Sequence, residues 1–145
     1  MSYKGKYKPS YPKKYKGDVN NIIYRSLWER KFMVYCDLNE NILEWGSEEF
    51  WIPYYDPTTK KVRRYFPDFF IKYKTKDNEI KKSIIEIKPL RETKEPVHSP
   101  KKSRKTLINE TMTYVKNQAK WKAAEEFCKD RRWNFQILTE DNLGV

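Results

Sequence analysis

The chain has 145 residues, with 31 Lys and Arg against 20 Asp and Glu, and a formal net charge of +11. This length is typical of one domain with its own core, and the charge favours a polyanionic partner, nucleic acid before an acidic surface. A solvated basic protein without such a partner is the alternative. No apolar stretch approaches the ~20 residues that span a bilayer, and the lysine-rich start lacks the apolar segment of a secretory signal. We therefore expect no membrane association.

Cysteine and histidine usage excludes several kinds of site. Cys36 and Cys128 are far apart and form no CxxC pair, so neither a disulfide framework nor a zinc knuckle is expected. His98 is the only histidine and falls in the loop sequence EPVHSPKKSRK. A His-based metal cluster or a Ser-His-Asp triad is therefore not expected, and any catalysis would depend on carboxylates and lysines.

Residues 1–21 form a basic segment rich in Lys and Tyr, which we treat as an N-terminal arm. Its first 17 residues contain six lysines and no acid. Gly5, Pro9 and Pro12 oppose a helix, so we expect the arm to be extended or disordered and dispensable for the fold. Lysines interleaved with aromatic residues suit contacts to phosphates and stacking on bases. A solubilising tail and a docking arm for a protein partner remain equally open.

Residues 22–145 are predicted to form a single α/β domain. The pattern predicts, in order, a largely buried helix over 22–38, short strands in ILEW and EEFWIPYY, strong strands in KKVRRYFPDFFIKY and EIKKSIIEIKP, a helix over about 106–131, and a strand in WNFQILT. The apolar residues that should form the buried face of the long helix are Ile108, Met112, Val115, Ala119, Ala123 and Phe127. This order of elements is typical of an α/β domain with a mixed sheet.

Three charged residues interrupt the two strong strands. They are Asp68, Glu86 and Lys88. Side chains alternate along a strand, so Glu86 and Lys88 point to one face, together with Ile84. A hairpin between the strands would bring Asp68 beside Glu86, where two carboxylates raise at least one pKa unless a cation lies between them. Mg²⁺ is the natural cation because it takes oxygen ligands. A solvated, ion-paired outer face is the alternative.

A further acid, Glu29, has two interpretations. On a helix over 22–38 it falls on an apolar stripe with Phe32 and Met33, which suggests that it points toward a site needing an acid. The sequence SLWE also fits a capping box with Ser26 as N-cap and Glu29 three residues later, a role limited to the helix start. Spacing alone leaves both interpretations open.

These motifs resemble those of a known family. FPDFF, seventeen residues between Asp68 and Glu86, and then IIEIK resemble the PD-(D/E)XK nuclease superfamily, whose pattern is Pro-Asp, a variable gap and acid-x-Lys. The predicted elements also resemble its restriction-endonuclease-like αβββαβ core, a central mixed sheet flanked by helices. RSLWERKF resembles the first-helix region of TnsA-type transposon-end nucleases. The whole chain, including its MSYKGKYKPS start, resembles the head-completion nucleases of T-even-like phages.

The resemblance implies a metal-dependent DNA endonuclease. Asp68, Glu86 and the Ile87 carbonyl would be the Mg²⁺ ligands, with Mn²⁺ able to substitute. Lys88 would orient the attacking water or help to deprotonate it, and would offset charge on the phosphate. Polarising a phosphoryl oxygen and lowering the pKa of water are what a bound metal contributes to phosphodiester hydrolysis.

Two further residues take roles only from the resemblance. Glu29 matches the first-helix acid, which would position metal-bound water or a second metal ion. Gln118 on the long helix matches the polar residue that some members place near the site. Members with a Gln-x-x-x-Tyr signature have Tyr where this chain has Lys122, so the chain departs from that signature.

The same resemblance implies double-stranded DNA as substrate, phage head or portal proteins as partners, and a location in the host cytoplasm and the virion. The basic residues expected along the DNA backbone are Lys4, Lys6, Lys8, Lys13, Lys14, Arg63, Arg64, Lys101, Lys102 and Arg104. Two alternatives stay open. One is a transposon-end nuclease or junction resolvase on the same core, and the other is a non-enzymatic basic DNA-binding or virion structural protein.

Overall fold

The computed structural model describes residues 3–145, which form a mixed sheet flanked by helices. The elements in chain order are β1 (Gly5–Lys6), β2 (Ile23–Tyr24), α1 (Leu27–Leu38), β3 (Ile42–Ser47), β4 (Ile52–Asp56), β5 (Lys61–Tyr65), β6 (Phe69–Lys74), β7 (Ile80–Ile87), α2 (Arg104–Arg131), β8 (Asn134–Leu138) and α3 (Glu140–Leu143). Within the described range no helix is both long enough and apolar enough to cross a membrane.

The central sheet has the strand order β3-β6-β7-β8. Strands β3, β6 and β7 are antiparallel, whereas β8 runs parallel to β7. A parallel pair needs a long crossover connection, and α2 provides it between β7 and β8. The series α1, β3, β6, β7, α2 and β8 reproduces the αβββαβ order, so the predicted fold class, a restriction-endonuclease-like core, is confirmed. Strands β4 and β5 form a separate hairpin between β3 and β6.

The core has one layer on each face of the sheet. The residues of the first layer come mainly from α1 and the sheet and include Phe32, Met33, Cys36, Trp45, Phe69, Ile85 and Ile87. Those of the second layer come from α2, the β4–β5 hairpin and β7: Ile52, Tyr54, Tyr65, Ile84, Trp121, Ala124 and Cys128. Strand β7 thus faces α1 with its odd-numbered residues and α2 with Ile84 and Glu86. The two cysteines lie in different layers as buried free thiols.

Helix α1 starts later than predicted and is less buried. It begins at Leu27 instead of residue 22, because Ser26 is the N-cap and its Oγ accepts a hydrogen bond from the Glu29 N–H (3.2 Å). The preceding residues Ile23–Tyr24 form β2 and pair with β1. One face of the helix is buried, whereas Tyr35 and Leu38 on the other side are exposed.

The predicted strand KKVRRYFPDFFIKY is two strands, β5 and β6. Pro67 lies in the break between Tyr65 and Phe69, and its nitrogen has no hydrogen to donate to a ladder. The break lets β5 leave the central sheet and pair with β4 instead. On the other side of the hairpin, Glu48 adopts a left-handed conformation (φ 53°) just after β3.

Helix α2 has the predicted extent, but only half of the predicted apolar face is covered, since Ala119, Ala123 and Phe127 pack partly buried against the second layer. Its buried residues are Asn117, Trp121, Ala124 and Cys128. The predicted core residues Ile108, Met112 and Val115 are 48, 45 and 38% exposed. All four buried positions lie at or after the middle of the helix, so the residues before Asn117 extend past the sheet and Ile108, Met112 and Val115 stay exposed.

The N-terminal arm is extended, as expected, but it packs on the core. Tyr15 is 6% exposed, and its ring meets Trp45 edge-on at 4.7 Å between centroids. The Tyr15 hydroxyl also hydrogen-bonds to Glu49. The expectation that the arm is dispensable for the fold is therefore wrong, because one of its regularly spaced tyrosines is a core residue.

A buried carboxylate fixes the middle of the arm. Asp37, in the last turn of α1, is fully buried and accepts hydrogen bonds from the Tyr7 hydroxyl (2.7 Å) and from the N–H groups of Ser10 (2.7 Å) and Tyr11 (2.9 Å). Lys14 donates to backbone carbonyls at the C-terminal end of the same helix. There a cation is favoured by the helix dipole, so Lys14 has a structural contact, and its predicted DNA contact stays a prediction.

We predict that two tyrosines of the arm differ sharply in their contribution to stability. Tyr15→Ala should lower the free energy of unfolding by about 3–5 kcal/mol, the usual cost of removing a buried aromatic ring. Tyr11→Ala, at a residue 57% exposed, should change it by no more than about 0.5 kcal/mol. Urea unfolding followed by circular dichroism measures both. Equal, small effects would show that the arm does not contribute to the core.

Candidate active site

The β6–β7 hairpin brings Asp68 and Glu86 to the same end of the central sheet. Phe69 pairs with Ile85, so Asp68, directly before β6, comes opposite the last residues of β7. The Ile87 N–H donates a hydrogen bond to Asp68 Oδ2 (2.8 Å). The predicted juxtaposition of the two acids is present, and a backbone hydrogen bond orients one of them.

The electrostatics of this pair disfavour two negative charges. Burial raises the pKa of Asp68 well above its ordinary value, and the negative charge of Glu86 raises it further. The hydrogen bond from Ile87 opposes this shift, Glu29 adds to it and Lys88 lessens it. The net direction is upward, so Asp68 in the protein alone holds its proton more strongly than a solvated aspartate. A cation beside the pair would reverse that preference.

Glu86 is held by one neutral and one positive neighbour. It is 5% exposed, and its Oε1 accepts a hydrogen bond from the Tyr65 hydroxyl (2.7 Å). Burial first, and then the charge of Glu86, raise the pKa of Tyr65, so this phenol remains a donor. Lys88 Nζ lies 3.7 Å from Glu86 Oε2. The predicted common face of Glu86 and Lys88 is confirmed.

Backbone pairing fixes the position of Lys88 immediately after β7. Its N–H donates to the carbonyl of Leu138 on β8 (3.0 Å), so the strand end is tied to its parallel neighbour before Pro89 stops the ladder. The side chain is 28% exposed. An ammonium group anchored in this way can meet a ligand while its backbone stays in place.

Helix α2 contributes a lysine that the sequence analysis missed. The ammonium group of Lys120 lies over the rings of Tyr54 (5.9 Å) and Tyr65 (5.8 Å). Burial lowers the pKa of Lys120, whereas the charge of Glu86 raises it. Successive helical residues are about 100° apart, so the predicted Gln118 projects from a different side of α2 and is exposed. The sequence signal for this role was the position of Lys120 next to Trp121, a residue that is buried, but a lysine beside a tryptophan is not a recognisable functional motif.

The capping-box interpretation of Glu29 is confirmed in part, because its carboxylate bonds to the residue before the N-cap instead of to the N-cap itself, and its catalytic interpretation stays a prediction. Ser26 is the N-cap of α1, and Glu29 Oε1 accepts from the Arg25 N–H (3.2 Å), which ties down the helix start. Burial raises the pKa of Glu29, and the charges of Glu48 and Glu86 raise it further. The start of α1 therefore places the Glu29 carboxylate close enough to Glu48 and Glu86 for electrostatic repulsion between them.

The predicted DNA-contacting residues divide into two groups. Those with an exposed side chain and no role described above are Lys4, Lys6, Lys8, Lys13, Lys101 and Arg104. Four others have partners within the protein: Lys14 at α1, Lys102 with Glu110 (3.2 Å), Arg63 with Asp56 (3.3 Å), and Arg64 over Trp51 (4.7 Å). The arm lysines and the start of α2 therefore offer the more available charge.

The donor set at the sheet edge fits Mg²⁺. Among residues 3–145 no group of three or more His, Cys, Asp or Glu side chains is placed to enclose a metal. The oxygen donors at this edge are the carboxylates of Asp68 and Glu86 and the Ile87 carbonyl. That carbonyl points to the same side of the strand as the Ile87 N–H, which donates a hydrogen bond to Asp68. Mg²⁺ commonly takes only one or two carboxylates and keeps several waters. Burial and then the charge of Glu86 raise the pKa of Asp68, and a cation bound beside the pair would favour the ionised form.

Comparison with known proteins agrees with this geometry. Residues 39–140 match the family described as TnsA-like endonuclease N terminal, a range that includes Asp68, Glu86 and Lys88 but begins after Glu29. The chain is 42% identical over 146 residues to the head completion nuclease of Enterobacteria phage T4, covering 99% of this chain and 95% of that protein. No solved structure matches with statistical significance. The resemblance noted from the sequence is confirmed: the chain belongs to the TnsA-like endonuclease N-terminal family.

Proposed function

We propose that this protein is a Mg²⁺-dependent DNA endonuclease, with Mn²⁺ able to substitute, that acts on DNA during phage head completion. The observation that carries the proposal is the partly buried pair Asp68 and Glu86, with Lys88 on the same side at the end of β7. Family membership supports nuclease activity, and the name of the phage T4 relative supports the biological setting.

The charges of the site suit phosphodiester hydrolysis. When bound, Mg²⁺ polarises a phosphoryl oxygen and lowers the pKa of water. Asp68 and Glu86, with the Ile87 carbonyl, would hold the ion. Lys88 places a positive charge where the phosphate gains negative charge in the transition state, and there a preorganised charge is most effective. Its pairing with Glu86 (3.7 Å) keeps the ammonium group beside the acids.

Neighbouring groups would keep this arrangement in place. The Ile87 N–H orients Asp68, and the Tyr65 hydroxyl orients Glu86, each through one carboxylate oxygen. Lys120 adds a second, partly buried cation on the α2 side, above the ring of Tyr65. Preorganisation of this kind means that little has to move when the substrate binds.

The substrate in this proposal is double-stranded DNA bound first through its backbone. The net charge of +11 and the exposed lysines of the arm support phosphate contacts, which position a duplex without reading its sequence. Head or portal proteins are the proposed partners, and the virion or the host cytoplasm the proposed location, on the strength of the relative's name alone.

We predict that Asp68→Asn and Lys88→Ala each reduce cleavage of plasmid DNA in Mg²⁺ or Mn²⁺ by at least about 10²-fold, since each removes charge stabilisation specific to the reaction. DNA binding should persist because the basic surface is unchanged. Nicking and linearisation on gels, with EDTA as a blank, measure cleavage. Asp77→Asn, an exposed acid in the β6–β7 turn, is the matched control. Wild-type activity in both variants would contradict the site.

A second prediction concerns metal binding without catalysis. A ligand present at 100 times its Kd stabilises the folded state by about 2.7 kcal/mol, which for a domain of this size is roughly 8 °C in Tm. Mg²⁺ or Mn²⁺ should therefore raise the Tm of the wild type, and Asp68→Asn should abolish that shift. Identical shifts in both proteins would place the ion elsewhere.

The same variant tests the electrostatics in EDTA. Folding raises the pKa of Asp68, so the stability linked to its protonation is complete below the ordinary pKa and is lost as pH rises through the folded value. Asp68→Asn removes that loss. Its Tm at pH 7 in EDTA should exceed that of the wild type, and the difference should vanish in acid. A lower Tm at pH 7 would contradict the sign.

The last prediction in this group separates two residues of α2. Lys120→Ala should lower the cleavage rate because it removes a cation beside Glu86, whereas Gln118→Ala should leave the rate unchanged because Gln118 projects elsewhere. Single-turnover cleavage at saturating protein reports the chemical step. The reverse ranking would restore the role that family resemblance gave to Gln118.

A further inference from the structure

The outer face of the β4–β5 hairpin is an exposed aromatic surface that the proposed chemistry does not use. Alternation along the strands turns Ile52, Tyr54 and Tyr65 inward. The outward residues, which we name the hairpin platform, are Trp51, Pro53 and Tyr55 on one side and Val62, Arg64 and Phe66 on the other.

The side chains of this platform lie in the open. Trp51, Tyr55 and Phe66 are 44, 56 and 46% exposed, and Val62 is 71% exposed. The Arg64 guanidinium lies over the Trp51 ring at 4.7 Å, which orients the indole without burying it. A contiguous apolar and aromatic surface of this kind usually marks a binding site.

The charges around the hairpin platform indicate which kind of partner it can bind. The only acid in residues 51–66 is Asp56, which is fully buried and paired with Arg63 and Lys116. The platform itself carries Arg64, and the turn that closes the hairpin carries the exposed Lys60. A second copy of this chain would bring a net charge of +11 against this surface. A polyanion is the complementary ligand.

The platform adjoins the candidate active site along the chain. Tyr65, whose hydroxyl donates to Glu86 (2.7 Å), is followed at once by Phe66 of the platform and then by Pro67 and Asp68. One short stretch of chain thus turns one side chain inward to the acids and the next outward to the platform. Phe66 is therefore the platform residue nearest in sequence to Asp68.

We propose that the hairpin platform binds an unpaired DNA strand by stacking bases on Trp51, Tyr55 and Phe66 while Arg64 contacts the backbone. This deepens the proposed nuclease function and rests on it for the identity of the ligand as DNA. In a duplex each base is stacked between its neighbours, so its faces are not accessible. In a single strand the faces of the bases can stack on aromatic side chains. The platform therefore makes DNA with unpaired nucleotides beside the cut, at an end or a branch, the preferred substrate.

The dimensions suit several nucleotides. Trp51, directly before β4, and Tyr55 within it are four residues apart, or about 13 Å at the usual rise of a β-strand. Phe66 adds a third ring across the hairpin, next to the pair formed by Ile52 and Tyr65. Aromatic residues on an open β-surface are a known arrangement for stacking two or three bases.

Fluorescence anisotropy in EDTA tests the proposal apart from cleavage. The ligands are a labelled thymidine oligonucleotide of about 16 nucleotides, at the upper end of single-strand site sizes, and a duplex of the same length. Trp51→Ala should weaken single-strand binding by roughly 5- to 150-fold and duplex binding by less than twofold. Tyr55→Ala should act in the same direction, and Trp51→Phe should restore much of the affinity.

Two controls separate stacking from general effects. Tyr35→Ala removes another exposed aromatic residue, from the side of α1 near the β6–β7 turn and away from Asp68, and should change neither affinity. Val62→Ala removes apolar area from the platform but no ring, and should also leave both unchanged. The log–log salt slope should stay constant in Trp51→Ala but fall by about 0.7 in Arg64→Ala, the value for one phosphate on a single strand.

The indole itself gives an independent signal. Trp51 is the only exposed one of the five tryptophans, so acrylamide quenching of tryptophan emission reports mainly on it. The thymidine oligonucleotide should protect it, whereas the duplex should not.

Three results would overturn the proposal. The first is equal affinity for the single strand in the wild type and in folded Trp51→Ala and Tyr55→Ala. The second is a loss of affinity in Val62→Ala as large as that in Trp51→Ala. The third is concentration-dependent self-association of the protein that Trp51→Ala abolishes. Failure of the nuclease proposal has a separate signature, the absence of plasmid cleavage by the wild type in Mg²⁺ and in Mn²⁺, and failure of the site assignment has another, cleavage that survives Asp68→Asn.

Discussion

The proximity of two like charges at the end of the β6–β7 hairpin is the constraint on which the candidate site depends. Pairing of Phe69 with Ile85 leaves Asp68 next to Glu86, in surroundings that raise the pKa of Asp68. The fold tolerates this because each acid has a donor, the Ile87 N–H or the Tyr65 hydroxyl. These hydrogen bonds offset the repulsion between the two carboxylates only in part, so a divalent cation bound between them would stabilise the ionised pair further.

Pro67 links this site to the rest of the sheet edge. It separates β5 from β6, so β5 is released to pair with β4, and the hairpin then presents two unlike faces. The inner face packs on α2 and supplies Tyr65 to Glu86. The outer face carries Trp51 and Arg64 into solvent. A single residue that cannot join a ladder thus shapes both the orientation of a candidate metal ligand and the exposure of the hairpin platform.

Local sequence patterns correctly predicted the features that depend on neighbouring residues, such as which side chains share a strand face. They missed the features that depend on how distant elements pack together. Alternation placed Glu86, Lys88 and Ile84 on one face correctly, because the strand period applies wherever a strand forms. Helical spacing found α2 but assigned Ile108 and Met112 to the core, since periodicity cannot show that half a helix extends past its sheet. Tyr15, four residues after the exposed Tyr11, was missed because its burial comes from packing against the distant Trp45, which local spacing does not show. Lys120 needed the packing of α2 to be recognised.

The core and the candidate site share one register, and this explains the precision of the site. On β7, Ile85 and Ile87 fill the α1 layer, while Ile84 and Glu86 face α2. A slip of one residue would turn Glu86 into the apolar α1 layer and the isoleucines toward Tyr65. Burial of a charge among Phe32, Met33 and Trp45 would be very unfavourable. Hydrophobic packing on one face of the strand therefore fixes the carboxylate on the other, without any contact between them.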